Sequence, residues 1–278
     1  VRWLVVGAGT GIYASSNLGR SWTTIGTSQS ATYQYHDRSK NVLIVTSNLY
    51  DPPVYWAGSG GSYVVRVNSN APLAKYSINH KGFAILMNTN ARKRSFFYQD
   101  ENTQLTGTWA NSFDLPSSAD DEITAAFVLR RYLYVSTRYK LFRVSYVGGN
   151  PDWSYDQIRN FGFVPRTPKV LSIGQIGEVA IGESWDRRVR IFDGGDDKII
   201  SSDIEEDNGM CDFAMEKVSS AGSGLVTNFG EVDSEKYVYR LAVGIGTNST
   251  NITHHINFDA RTSSFYPYSN MPFTTMTA

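Results

Sequence analysis

The apolar residues of this 278-residue chain come in short bursts, and that spacing narrows the fold more than any other feature. Runs of roughly four to eight β-branched and aromatic residues alternate with clusters of Gly, Asn, Asp, Ser and Pro, the mark of strands broken by turns. Helical periodicity is almost absent, so an all-β fold is expected. Candidate strands open with Trp3 to Val6, Gly11 to Ser15, Val42 to Thr46, Tyr63 to Val67, Phe83 to Asn88 and Ser95 to Gln99. They continue with Ile123 to Leu129, Tyr132 to Thr137, Lys140 to Ser145, Val170 to Ile173, Glu178 to Ile181 and Arg188 to Phe192. The last are Gly224 to Asn228, Tyr237 to Gly244, Thr253 to Asp259 and Ser264 to Tyr268. The acidic start of Ala119 to Tyr146 imitates a helix N-terminus, but its β-branched content favours three strands joined by tight turns at Arg130-Arg131 and Arg138-Tyr139.

A tryptophan after a turn cluster recurs at Trp22, Trp109, Trp153 and Trp185, whereas Trp3 and Trp56 fall outside the pattern. The step of about 44 residues from Trp109 to Trp153 matches the period of propeller blades, each a four-stranded antiparallel sheet. The expected architecture is therefore a single β-propeller domain over 1–278, with about six blades. Blade material is placed at 31–75, 76–118, 119–165, 166–210 and 211 to about 250, with the two chain ends sharing a sixth. Pairing of N- and C-terminal strands would close the ring and remove its free edges.

Composition limits the function. Lys plus Arg and Asp plus Glu both number 26, for a net charge of zero, whereas a phosphate-binding surface needs a clear cationic excess. No specific nucleic-acid partner is expected. Cys211 is alone, and the histidines at 36, 80, 254 and 255 have no zinc-ligand spacing, so neither metal nor cofactor is expected. Apolar runs are too short to span a membrane as a helix, and the N-terminus lacks secretory features. An opening Val in place of Met fits a fragment, a processed chain or an alternative start.

Val5-Val-Gly-Ala-Gly-Thr-Gly-Ile imitates a dinucleotide-binding turn. Its third glycine comes one position early, no helical pattern follows, and no acidic residue appears before Asp37, so a glycine-rich hairpin is the expectation. The acidic runs Asp120 to Glu122, Asp196-Asp197 and Asp203 to Asp207 lack calcium-loop spacing and read as solvated turns. Arg92 to Arg94 and Arg187-Arg188 with Arg190 read as surface charge. His254 and His255, adjacent in a strand, would face opposite ways. The sequons at Asn248 and Asn251 read as a polar loop.

One stretch is more specific. Ser15-Ser-Asn-Leu-Gly-Arg-Ser-Trp22, preceded by Gly11-Ile-Tyr, resembles the Asp-box hairpin of sialidase-like propellers, with Asn17 in the Asp position. In that resemblance Ser15, Asn17, Gly19, Ser21 and Trp22 form a structural staple: a short polar side chain bonds turn amides, Gly19 supplies positive φ and Trp22 packs beneath. No arginine triad, Tyr-Glu pair or acid of a sialidase can be assigned, so no catalytic residue is expected. A second patch, Tyr50, Tyr55, Trp56 and Tyr63 around Pro-Pro and Gly-rich turns, could stack on sugars or partners, although such rings more often pack between blades.

Several segments in order resemble the β-propeller proteins of bacteriophage virions, the tail and packaged-DNA-stabilising type. They are Val42 to Thr46 with Pro53 to Gly58, Ala74 to Leu86, Arg94 to Asp100, Ile123 to Val144, Val164 to Gly174, Val189 to Gly195, Tyr237 to Leu241 and Asn257 to Tyr268. The resemblance implies a structural virion component, assembled in the host cytoplasm and acting through contacts with tail, portal or adaptor subunits. It also implies a homo-oligomer around the tail axis, of which this chain resembles the propeller core. The alternatives are a carbohydrate- or receptor-binding propeller and a sialidase-like hydrolase.

Overall fold

The computed structural model describes residues 3–27, 29, 35–39, 42–58, 63–149, 151–174, 177–202, 228–244, 252 and 254–269. All its regular elements are strands but for a single helical turn residue at two points, and they form six antiparallel sheets in chain order. The first holds β1 (Leu4–Ala8), β2 (Gly11–Ser15) and β3 (Thr23–Gly26). The second holds β4 (Tyr35–Ser39), β5 (Val42–Thr46), β6 (Val54–Trp56) and β7 (Val65–Arg66), and the third β8 (Ala74–His80), β9 (Phe83–Thr89), β10 (Ser95–Asp100) and β11 (Ser112–Asp114). The fourth comprises β12 (Ile123–Leu129), β13 (Tyr132–Thr137), β14 (Leu141–Tyr146) and β15 (Trp153–Arg159). The fifth has β16 (Lys169–Ile173), β17 (Gly177–Glu183), β18 (Val189–Phe192) and β19 (Asp197–Ile199), and the sixth β20 (Phe229–Asp233), β21 (Val238–Val243), β22 (His254–Asp259) and β23 (Ser264–Ser269). Six small meanders of this kind are the six-bladed β-propeller fold expected from the sequence.

The chain packs as two compact units, Val1–Ile123 and Thr124–Ala278. In the first, Ile12, Ala14 and Ile25 of the first sheet meet Val45, Val54 and Trp56 of the second, and Ile44 and Val67 meet Ala74, Ala84 and Leu86 of the third. In the second unit, Phe127 and Tyr134 of the fourth sheet meet Ala180 and Phe192 of the fifth, whose Leu171, Ile181 and Val189 meet Tyr239, Leu241, Ile256 and Phe258 of the sixth. Strands covered on both faces lose their alternation and read as solid apolar runs, which is why β9 and β12 stand out in the sequence. By contrast β4, β15 and β19 carry polar and charged residues along much of their length and leave little apolar signal. In β15, Ser154 to Gln157 are all exposed.

The observed sheets shift part of the expected partition. The last lies at 229–269, not 211 to 250, and residues 4–26 form a sheet of their own with three described strands. Residues 1–2 and 270–278 of the two chain ends lie outside the described residues, as do Asp203 to Asp207, Cys211, the Asn248 and Asn251 sequons and most of the Gly224 to Asn228 run.

A repeat that tryptophan spacing does not show appears in the hydrogen bonds. The second strand of four successive sheets carries a fully buried polar residue at its last or next-to-last position, Thr46, Asn88, Ser136 and Glu183, about 42 to 48 residues apart. Each fastens the chain as it enters the next sheet. Thr46 Oγ1 donates to the Lys75 carbonyl (2.8 Å), Asn88 Nδ2 to the Ile123 carbonyl (2.7 Å), and Phe163 N donates to Ser136 Oγ (2.7 Å). Glu183 Oε2 accepts from Asn228 Nδ2 at 2.8 Å. A buried polar atom must find a partner, and the incoming backbone supplies it. Different side chains can fill that role, so the repeat survives without sequence identity.

Candidate functional site

The hairpin joining β2 to β3 is built by its own side chains. Ser15 Oγ donates to Asn17 Oδ1 (2.8 Å) and accepts from Gly19 N (2.9 Å). Asn17 Oδ1 accepts from Ser21 N (3.0 Å), and Asn17 Nδ2 donates to Ser21 Oγ (2.8 Å). Gly19 sits at φ +83°, where a Cβ would be strained. Leu18 also has positive φ, 59°, which costs a β-carbon-bearing residue roughly 1 kcal/mol. The turn therefore holds a leucine in a conformation that asparagine or glycine would take more readily. That leucine is 83% exposed. Trp22 departs from the expectation that it packs beneath the turn. Its ring passes Gly19 at the edge of the hairpin and stays 43% exposed.

Below this hairpin, within the same unit, lies a cleft of about 650 Å³, inside the range of ligand pockets. Trp3 and Trp56 meet edge to face across it, centroids 5.2 Å apart. Arg38, Leu43 and Trp56 form one cross-strand row of the second sheet and so share a face. Leu4, Val5 and Leu18 also line it, and Arg38 is the single charged residue among the described lining. The described lining thus offers apolar and aromatic surface with one cation and contains no carboxylate.

The tyrosine patch read from the sequence is divided by the fold. Trp56 is 3% exposed and belongs to the core between the first two sheets, while Tyr55, on the other face of β6, packs against the core between the second and third. Tyr50 and Tyr63, each 65% exposed, face solvent. The glycine-rich opening is the expected hairpin, with Gly9 at φ +58° between β1 and β2 and no helix after it. Sequence reasoning missed Trp3, Leu18 and Arg38. Leu18 carried a signal, since an aliphatic residue between Asn17 and Gly19 occupies a position that the turn forces to positive φ.

In two acidic runs read as solvated turns, Asp120 and Asp196 are exposed as expected, but their neighbours are held by other parts of the chain. Glu122 Oε2 accepts from Lys75 Nζ (2.9 Å) and Asn88 Nδ2 (3.1 Å), and Asp121 is buried. Asp197 accepts from Arg159 Nε (2.7 Å) and Arg190 Nη1 (2.9 Å), and Asp186 also pairs with Arg190. Arg190 stacks on Phe161 and Arg138 on Trp185. Lys75 thus holds Glu122, and Arg159 and Arg190 hold Asp197, so Arg190 is not the surface charge expected of it. Two further carboxyls are perturbed by burial: Asp37 on β4 and Glu183 on β17 are each raised to about 7. Among the described residues no three His, Cys, Asp or Glu side chains are grouped to hold a metal ion.

No protein-family model matches the chain, and no curated protein does. Among solved structures the chain is similar to two of the extracellular domain of a B. thetaiotaomicron protein, described in one as a hybrid two component system and in the other as a one component system. The TM-scores are 0.58 and 0.52 at 11% and 10% identity, over 88% and 87% of this chain. The aligned part spans 30% of each of those chains. At such identity the likeness is one of fold, and the fold is the β-propeller.

Proposed function

We propose that this chain is a non-enzymatic propeller module of a bacteriophage virion, acting in the tail or head-to-tail region through protein–protein contacts. The order of segments from Val42 to Tyr268 that resembles virion propellers supports the phage assignment, which rests on sequence alone. The observation that carries the contact role is the stapled hairpin at 15–22. It holds Leu18 and Trp22 in solvent with little freedom to lose on binding, beside an apolar cleft. Partners on this reading are tail, portal or adaptor subunits and further copies of the chain around the tail axis. Immunogold labelling of purified particles, with light scattering of the isolated chain, tests it. Label at the tail or head-to-tail region, or a discrete ring, is expected. An unlabelled particle together with a stable lone monomer refutes it.

A second reading, a carbohydrate- or receptor-binding propeller, is favoured by the solvent-facing rings of Tyr50 and Tyr63. Loss of glycan-array signal on Tyr50→Ala or Tyr63→Ala would support it, and an array without hits would end it. Turnover of a fluorogenic sialoside, abolished by one Asp or Glu change, would instead restore the hydrolase reading.

A further inference from the structure

We infer that the joint between the fifth and sixth sheets is a proton-operated latch: it is closed while Glu183 holds its proton, and loss of that proton frees the entry to the sixth sheet while the rest of the fold stays intact. Of the four buried residues that fasten one sheet to the next, Thr46, Asn88 and Ser136 carry no titrating group, so Glu183 is the one whose hold depends on pH. Its Oε2 accepts from Asn228 Nδ2 at 2.8 Å, and Asn228 Oδ1 accepts from Gly244 N at 3.3 Å. Asn228 precedes β20 and Gly244 follows β21, so one carboxyl ties the start of the first strand of the sixth sheet to the end of the second. Alongside, Thr167 Oγ1 accepts from Glu183 N (3.1 Å), the Thr167 carbonyl accepts from Tyr239 Oη (2.9 Å), and Gly230 N donates to the Arg166 carbonyl (3.1 Å).

Glu183 is fully enclosed, and its Oε1 has no partner among the described residues. A neutral carboxyl tolerates that arrangement, whereas a carboxylate with one hydrogen bond in a dry site does not. The groups acting on it are Asp186 and Arg187 from the β17–β18 turn and the Tyr239 phenol of β21. Arg187 favours the ion, Asp186 opposes it, and burial outweighs the rest, raising the carboxyl from 4.5 to about 7. Once ionised, the side chain is relieved by opening of the joint, which lets water reach it. The release stays local. Phe229 and Ala242 beside Asn228 form only a small apolar cluster with Ile252, whereas Leu171, Ile181, Val189, Leu241, Ile256 and Phe258 pack the two sheets together whether the latch is closed or open.

Hydrogen exchange of the full chain, read at single amides from pH 5 to 8 and corrected for the intrinsic rate at each pH, tests this. Gly244 and Gly230 report on the latch, and Phe163, whose amide donates to Ser136 Oγ, reports on a joint that cannot titrate. In the open joint the carboxyl ionises near 4.5 and in the closed one near 7, so opening gains with pH inside that window and is level above it. Opening at Gly244 and Gly230 should therefore rise about tenfold per pH unit from 5 to 7 and, at pH 7.5, exceed opening at Phe163 by roughly tenfold or more. Glu183→Gln should leave both amides as protected at pH 7.5 as the parent's are at pH 5. A flat profile from pH 5 to 7 overturns the inference. So does opening at Gly244 and Gly230 equal to that at Phe163 at every pH, since release would then be global. Should the variant fail to fold, a carbon-13 titration of the Glu183 carboxyl in the parent decides: a midpoint near 7 supports the latch, and one near 4.5 overturns it.

Discussion

Glu183 closes β17 with its side chain fully enclosed and one described hydrogen bond, from Asn228 Nδ2 at 2.8 Å. Asn228 is fixed in turn, because its Oδ1 accepts from Gly244 N at 3.3 Å. The other carboxyl oxygen, Oε1, has no partner among the described residues. Burial disfavours the charged form and raises the carboxyl from 4.5 to about 7. In the unfolded chain Glu183 releases its proton through pH 4.5, whereas in the folded chain it keeps it until near 7. The native state binds more protons in that window, so its stability falls as pH rises from 4.5 to 7 and is level above. The full loss is about 3 kcal/mol, since each pH unit across the window is worth about 1.4 kcal/mol.

Glu183→Gln keeps the shape and removes the charge. At pH 4 parent and variant both carry a neutral group and should melt within ~1 kcal/mol of each other. At pH 8 the variant should gain about 3 kcal/mol relative to the parent, roughly 6–12 °C in thermal midpoint for a chain of this size. Asp37, also raised to about 7, contributes pH dependence to both proteins, so the informative quantity is the difference between their melting curves across pH. Curves that run parallel from pH 4 to 8 would show that Glu183 ionises normally and would refute its enclosure.

Other perturbations report on other parts of the fold. Arg130 and Arg131 form the two-residue turn between β12 and β13 at φ 47° and 70°, so Arg131→Gly should stabilise by roughly 1 kcal/mol in a urea titration. A Cβ on Gly162 would run into the Thr137 carbonyl, so Gly162→Ala should cost roughly 3 kcal/mol or more and sharply lower the yield of folded protein; a thermal midpoint like that of the parent would contradict the packing. Asn17→Ala removes both bonds to Ser21 and should cost about 1–2 kcal/mol, seen as faster hydrogen exchange at the Ser21 amide; unchanged exchange there would argue against the staple.

The sequence by itself determined the class of structure. Val42 to Thr46, Ile123 to Leu129 and Tyr132 to Thr137 are read correctly because strands buried on both faces must be continuously apolar, and the Arg130-Arg131 turn follows from the two runs it joins. The stapled hairpin is local too, since Ser15, Asn17, Gly19 and Ser21 bond to each other within a few residues. Tertiary structure alone decided which aromatic rings meet solvent. Trp56 and Tyr50 are similar in the sequence, yet one is buried against Trp3, far from it in the chain, and the other stays 65% exposed. It also set the fate of the charges. Whether Asp197 faces water or arginine depends on Arg159, 38 residues earlier in the chain, and burial of Glu183 depends on Asn228, 45 residues later. Contacts of that range arise only when separate strands are brought side by side, and no local pattern of residue types encodes them.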